Sequence, residues 1–139
     1  MIRRAEDADV ERVEALLRDA RLPLEGARHA FRVGFVAEEH DAIVGAVALE
    51  MYPDSALLRS LVVDQVAQGK GLGGRLTQVA IEEAQRRGVH AIYLLTTTAE
   101  QFFPRFGFVA VDRQSMPPSI QGSLEFQSAC PASAIAMRR

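Results

Sequence analysis

The sequence predicts an α/β fold, a mixed and mostly antiparallel sheet with one central parallel strand pair and helices on both faces. Three observations carry this reading. Between 32 and 63, three apolar runs are separated by turns of only a few residues, a spacing that makes neighbouring strands antiparallel. Next, an apolar run at 57–63, a stretch of helical period at 72–87 and a second apolar run at 91–97 follow one another. A strand–helix–strand order of that kind makes its two strands parallel. Finally, Gly69, Gly71, Gly73 and Gly74 crowd the junction between the first of these strands and the helix.

The elements follow in order. Residues 1–5 read as a short strand. Glu6, Asp7 and Asp9 then mark a helix start, where carboxylates cap free N–H groups and suit the helix dipole. Val10, Val13, Leu16, Leu17 and Ala20 recur at helical spacing, and Leu22, Pro23 and Gly26 break the pattern. The segment 22–31 reads as a short helix or a loop of the kind that covers a substrate. Strands are expected at 32–39, 43–52 and 57–63, with Gly45 marking a bulge or close packing inside the second. In the helix 72–87, Leu72, Leu76, Val79, Ala80 and Ala84 form the apolar stripe, and Gly88 stands where a helix stops. A short helix is expected over 99–106 with Phe102, Phe103 and Phe106 inward, then a strand at 108–112. A further short helix over 119–128 would turn Ile120, Leu124 and Phe126 inward, and 132–137 reads as a last strand.

The chain has 139 residues, which suggests a single domain over 1–139. A net charge of −2 argues against a nucleic-acid surface, which needs a basic face. No apolar run is long enough to span a membrane, and the charged start lacks the apolar core of a signal peptide, so a cytoplasmic location is expected. His29, His40 and His90 lack metal-ligand spacing, so no metal is expected. Cys130 is the single cysteine and reads as a small apolar residue rather than a nucleophile. A homodimer is left open.

A glycine-rich turn that opens a helix is an anion site, because free N–H groups and the positive end of the dipole meet there. Gly69, Gly71 and Gly74 match the dinucleotide pattern, but five residues, 64–68, separate them from the strand. The second strand also ends in Thr96, Thr97 and Thr98 rather than in an acid. A Walker loop is excluded, since Lys70 is followed by Gly71.

The remaining match is Gln68-x-x-Gly71-x-Gly73, after a strand and opening a helix. Here the sequence resembles the Gcn5-related (GNAT) N-acetyltransferases, and the later 103–108 segment, Phe-Pro-Arg-Phe-Gly-Phe, resembles the family's closing motif. Within the family, 57–63, 93–100 and the Cys-Pro-Ala-Ser-Ala tail at 130–134 resemble small proteins associated with arsenic-resistance operons.

The resemblance implies acetyl transfer from acetyl-CoA to a primary amine of a small molecule. In the narrower group that is the α-amino group of amino-acid-like toxins of the arsinothricin and phosphinothricin type. It implies that the main chain of Leu61, Val62 and Val63 pairs with the pantetheine arm, and that the two parallel strands splay to admit the thioester. It assigns the pyrophosphate to Gln68, Gly69, Lys70, Gly71, Leu72, Gly73 and Gly74, and the acyl carbonyl to the Val62 N–H. Phe103 stands where the family often has a tyrosine acid and is expected to pack on the pantetheine arm. Leu57 stands at a common position for the base. Glu50, on the neighbouring strand, is the best carboxylate for that task, directly or through a water.

Arg59 is a cation on an apolar strand, expected either to pair with Glu50 or to bind a substrate carboxylate. Thr96, Thr97 and Thr98 end the parallel strand, where ligands of such sheets collect. The absent tyrosine and base also motivate the alternative of a non-catalytic acyl-CoA-binding module.

Overall fold

The computed structural model describes residues 1–123, 125–129 and 133–139. Strands β1 (Ile2–Arg4), β2 (Gly34–Glu39), β3 (Ala42–Met51), β4 (Ser55–Val63), β5 (Ala91–Thr96), β6 (Val109–Val111) and β7 (Ile135–Arg138) form one sheet. Its spatial order is β1-β2-β3-β4-β5-β7-β6. The expected three-stranded meander is present as β2, β3 and β4, each antiparallel to the next. The crossover through helix α3 (Leu72–Arg86) makes β4 and β5 parallel.

Two apolar layers sandwich the sheet. On one face, Leu72, Leu76, Ala80 and Ala84 of α3 pack on Phe35, Val47, Leu49 and Leu58. On the other, Val13, Leu16 and Leu17 of helix α1 (Val10–Asp19) and Ala27 and Ala30 of helix α2 (Ala27–Ala30) cover Val36, Ala46, Ala48 and Val62. Alternate strand residues therefore serve opposite layers, as period-two patterning requires. A smaller group, Leu57, Tyr93, Met116 and Ile120, packs helix α4 (Pro118–Gln121) beneath β4 and β5.

Gly45 meets both of its expectations. The β2–β3 register shifts beside it, and a Cβ there would lie 3.0 Å from Leu76 Cδ1 and 3.2 Å from the Val62 carbonyl oxygen. Other boundaries differ from the sequence reading. Strand β2 begins at Gly34, because Phe31–Val33 forms a single 3-10 turn and the Phe31 ring lies where a Gly34 Cβ would stand. The helix expected over 99–106 is reduced to one 3-10 turn, Phe103–Phe106. Pro104 has no N–H to extend it, and Gly107, at φ +90°, ends it in the left-handed region. The helix expected over 119–128 divides into α4 and a π-helical turn, Glu125–Ala129. Leu124, Cys130 and Ala132, to which inward packing, an apolar environment and a strand start were assigned, lie outside the described residues.

The feature that positions the site is where the parallel pair stops. β4 and β5 are paired only at Ser55 with Ala91, Ala56 with Ile92 and Leu57 with Tyr93. Beyond that point β4 stays on β3 as far as Val63, while β5 stays on β7 as far as Thr96. The two strands separate, and a gap opens between their C-terminal halves.

Candidate active site

A bulge aims the β4 side of the gap. Ala46 opposes Val62 and Ala48 opposes Arg59, so two β3 steps face three on β4. The extra residue is accommodated at Ser60, whose φ of +60° lies in the left-handed region. The bulge keeps Arg59 and Val62 on the same face of the sheet despite their odd spacing. It also exposes main chain. The Asp64 N–H donates to the Val44 carbonyl of β3 at 2.7 Å. Alternation along the strand then turns the Val62 N–H toward β3 as well, and the N–H groups of Leu61 and Val63 toward the gap. By this alternation the gap-facing donors beside Val62 belong to Leu61 and Val63, two residues whose main chain was expected to pair with the pantetheine arm.

The glycine turn lies at the end of β4. Asp64 accepts from the Val66 N–H and pairs with Arg12 at 2.9 Å, which fixes the loop leaving the strand. The Gln68 side chain reaches back to the Val63 carbonyl at 3.0 Å, so its amide braces the turn. Gly69 and Gly71 have φ of +84° and +77°, conformations that other residues adopt at a cost. Lys70 is exposed and pairs with Glu39 at 3.3 Å. The Arg75 N–H bonds to the Gly71 carbonyl at 3.1 Å, so the N–H groups of Leu72, Gly73 and Gly74 precede the first helical bond. Gly74 has a packing reason, since its Cβ would lie 3.2 Å from the Phe106 ring. Gly73 has none. It lies in helix α3, and a Cβ there would meet nothing nearer than 3.8 Å.

Between the separated strands is a cavity of about 740 Å³. Its walls are Leu58 through Val63 of β4, Leu94 through Ala99 around the end of β5, and Leu22, Pro23 and Leu24 from the segment whose role the sequence left open. Gln68 and Phe103 also line it. Phe103 is buried and meets Phe102 and Phe108 edge-on, with ring centroids 5.1 and 5.7 Å away. Thr96 is buried, with its hydroxyl accepting from the Ala99 N–H at 3.0 Å, while Thr97 and Thr98 are exposed on the cavity wall.

The polar floor is built around Arg59. Its side chain is fully buried and donates from Nη1 to Glu50 Oε2 at 2.7 Å. Glu50 Oε1 accepts from the Tyr52 hydroxyl at 2.6 Å. Burial, together with that hydrogen bond to Glu50, raises the Tyr52 phenol well above its ordinary value. Both oxygens of Glu50 are therefore engaged. A second carboxylate, missed by the sequence reading, completes the floor. Glu125 is 4% exposed, and its Oε1 lies 3.7 Å from Arg59 Nε, beyond hydrogen-bond reach. Burial pushes the Glu125 carboxyl up to about 7, against the attraction of Arg59 and with the repulsion of Glu50. Two buried polar atoms here have no partner among the described residues, Arg59 Nη2 and Glu125 Oε2. A signal for Glu125 was available, since it is the only acidic residue after Asp112.

Strand separation, a bulge and a glycine turn opening a helix adjoin one another, and Gln68 at the head of the turn lines the cavity. The acetyltransferase (GNAT) domain profile matches residues 31–110, which contain all three. The chain belongs to the GNAT acetyltransferase family. An uncharacterised N-acetyltransferase of Chlorobaculum tepidum is 30% identical over 87 residues, 62% of this chain and 56% of that protein. An amino-acid acetyltransferase of Ralstonia nicotianae is 34% identical over 86 residues, 60% of this chain and 19% of that protein. The chain thus matches about half of one relative and a fifth of the other. Among solved structures, a Mycobacterium tuberculosis protein in complex with CoA superposes with a TM-score of 0.84 at 22% identity, covering 99% of this chain and 97% of that one. N-acetylglutamate synthase from Neisseria gonorrhoeae, complexed with CoA and N-acetylglutamate, gives 0.85 at 22% identity over 100% of this chain and 34% of that one. These likenesses establish the GNAT fold here. Among the described residues, no cluster of ligands suits a metal ion, and no helix is long and apolar enough to cross a membrane.

Proposed function

We propose that this GNAT domain transfers an acetyl group from acetyl-CoA to the primary amine of a small amino-acid-like molecule. The observation that carries the reading is the pair of buried atoms without partners in the cavity floor, one donor and one acceptor. An α-amino acid presents the complement, a carboxylate for Arg59 Nη2 and an ammonium for Glu125 Oε2. An amino-acid acetyltransferase among the relatives and N-acetylglutamate bound to a fold neighbour agree with that class. Phosphinic and arsinic amino acids of the phosphinothricin and arsinothricin type belong to it as well.

The residues fit the donor. Gly73 leaves room that the protein itself does not use, beside the free N–H groups of Leu72, Gly73 and Gly74. We assign the pyrophosphate to 69–74, with Gln68 bracing the turn, and the pantetheine arm to the gap-facing main chain at Leu61 and Val63 and to Phe103. Acetyl-CoA supplies the activated acyl group. A gap-facing N–H polarises its carbonyl as charge develops on oxygen. We assign Thr97 and Thr98, exposed on the cavity wall, to the acceptor, while Glu50 holds Arg59 and Tyr52 in position.

The test is release of free thiol from acetyl-CoA in the presence of amino acids and their phosphinic and arsinic analogues. We expect turnover confined to acceptors with both an amine and an adjacent anion. No release above background across the panel would overturn the reading. It would favour instead a non-catalytic acyl-CoA-binding module, which predicts tight CoA binding by calorimetry without turnover. That second reading draws on Phe103, which has no proton to give a leaving thiolate, and on Tyr52, whose hydroxyl is committed to Glu50.

A further inference from the structure

We propose that Glu125 is the general base of the transfer, removing a proton from the acceptor ammonium at its Oε2. This rests on the acetyltransferase reading above and adds to it a residue from the C-terminal segment, outside the glycine turn and the separated strands.

The geometry separates the two carboxylates of the floor by what they have left to give. Glu50 accepts from Arg59 and from Tyr52, one bond at each oxygen. A proton acceptor in that position would have to surrender one of them. Glu125 has no hydrogen bond at Oε2, and its Oε1 is too far from Arg59 Nε for one. A buried carboxylate held by no hydrogen bond and by one ion pair at 3.7 Å is expensive to keep. A ligand that donates hydrogen bonds accounts for the arrangement.

The charge balance points the same way. The groups facing Glu125 are Arg59 on β4 and Glu50 on β3, with the neutral Tyr52 hydroxyl behind Glu50. One cation faces two carboxylates, so the floor has room for one more positive charge. Arg18, Arg21 and Glu25 also line the cavity, but they are exposed to solvent, unlike the buried Arg59 and Glu125. Neither unpartnered atom is open to solvent. Engagement of an acceptor at both atoms therefore includes a side-chain movement that uncovers Arg59 Nη2 as well as Glu125 Oε2.

The step balances as follows. Glu125 takes one proton from R–NH3⁺. The freed nitrogen lone pair bonds to the thioester carbonyl carbon, and the carbon–sulfur bond breaks with its electron pair going to sulfur. The nitrogen's second proton passes to the thiolate, giving amide and CoA thiol, and Glu125 later returns its proton to solvent. A carboxyl held up near 7 is matched to this task, since it is a stronger base than an ordinary carboxylate and is still largely ionised just above neutrality.

The experiment compares wild type with Glu125→Gln and Glu125→Asp, using glutamate, methionine and phosphinothricin as acceptors. In wild type, kcat/KM should rise on the acid side through a pKa near 7. Glu125→Gln should lose that limb and at least tenfold in kcat/KM at pH 7.5, with CoA affinity by calorimetry unchanged. Glu125→Asp should recover the limb at a reduced rate. Carboxyl ¹³C titration, with Glu125→Gln as the assignment control, reads the group without turnover. A limb that persists in an active Glu125→Gln protein, or a Glu125 signal titrating in the ordinary range, would overturn the role while leaving the acetyltransferase reading intact. Absence of turnover in wild type would overturn both.

Discussion

Arg59 donates from Nη1 to Glu50 at 2.7 Å and leaves Nη2 without a partner, while Glu125 stands 3.7 Å from its Nε. One buried cation thus compensates two buried or half-buried carboxylates. Such an arrangement is asymmetric under mutation.

Removing the cation leaves both carboxylates uncompensated. Arg59→Ala should cost about 3–5 kcal/mol, the range for breaking a buried ion pair from one side. The loss should be larger at pH 8 than at pH 5, because protonating Glu125 relieves the repulsion. Urea unfolding at the two pH values checks this, and a cost below about 1 kcal/mol at both would show that Arg59 is not the compensating charge. Arg59→Lys, which keeps the charge and loses the fork, should fold and should raise KM for amino-acid acceptors more than for acetyl-CoA.

Gly73 separates stability from binding. A glycine in a helix costs up to about 1 kcal/mol relative to alanine. Nothing in the protein lies closer than 3.8 Å to the missing Cβ. Gly73→Ala should therefore leave the melting temperature unchanged or raise it, yet weaken CoA binding by at least tenfold. Calorimetry and a thermal melt on the same sample decide the matter. Unchanged CoA affinity would remove the turn from the proposed phosphate site.

The meander, the crossover and the glycine turn were legible because each depends on local pattern. Period-two runs, a helical stripe and glycines at forced left-handed positions are written within a few residues of one another. The floor was only half legible. Arg59 stood out as a charge on an apolar strand, and its pairing with Glu50 follows from their diagonal positions across β3 and β4. Glu125 reaches the same floor from 66 positions farther along the chain. No local pattern encodes that approach, although a lone acid in a stretch without others was a usable hint. The main-chain donors illustrate a different limit. Which N–H faces the gap follows from strand pairing, here from the Asp64 bond to the Val44 carbonyl, whereas the donor at Val62 was implied by the resemblance alone, which carries no pairing register.

Glu50→Gln tests the division of labour between the carboxylates. With Glu50 as a holder of Arg59 and Tyr52, the amide should retain the acid limb of kcat/KM and lower kcat/KM by about tenfold or less, the scale of one modest hydrogen bond. A lost limb would instead make Glu50 the base. The pH profile of the purified variant is the deciding measurement.

Glu83 provides a pH test far from the site. Burial pulls its carboxyl upward, but hydrogen bonds from Arg86, Arg87 and Arg4 outweigh it and hold the group at about 2, below its ordinary 4.5. A carboxyl lowered on folding stabilises the native state above 4.5, and that contribution is lost as pH falls from 4.5 toward 2. The three arginines are largely exposed, so solvent screening limits the effect. Glu83→Gln should cost about 1–2 kcal/mol at pH 7 and nothing near pH 2. A difference that does not depend on pH would show that the ion pairs contribute little.

Glu125 carries the opposite sign. Its carboxyl is raised on folding, from an ordinary 4.5 to about 7, so the native state holds its proton across that interval while the unfolded chain releases it. Native stability from this group is full below 4.5, falls as pH rises through 7 and then levels off. Glu125→Gln removes the charge and with it the loss. The variant should match wild type near pH 4.5 and exceed it at pH 8 by up to about 3 kcal/mol, following the conversion of pKa shift to free energy. Denaturant midpoints across the interval would show the two curves diverging with rising pH. Parallel curves would mean that the carboxyl titrates in the ordinary range, and a base held near neutrality would no longer be available to the site.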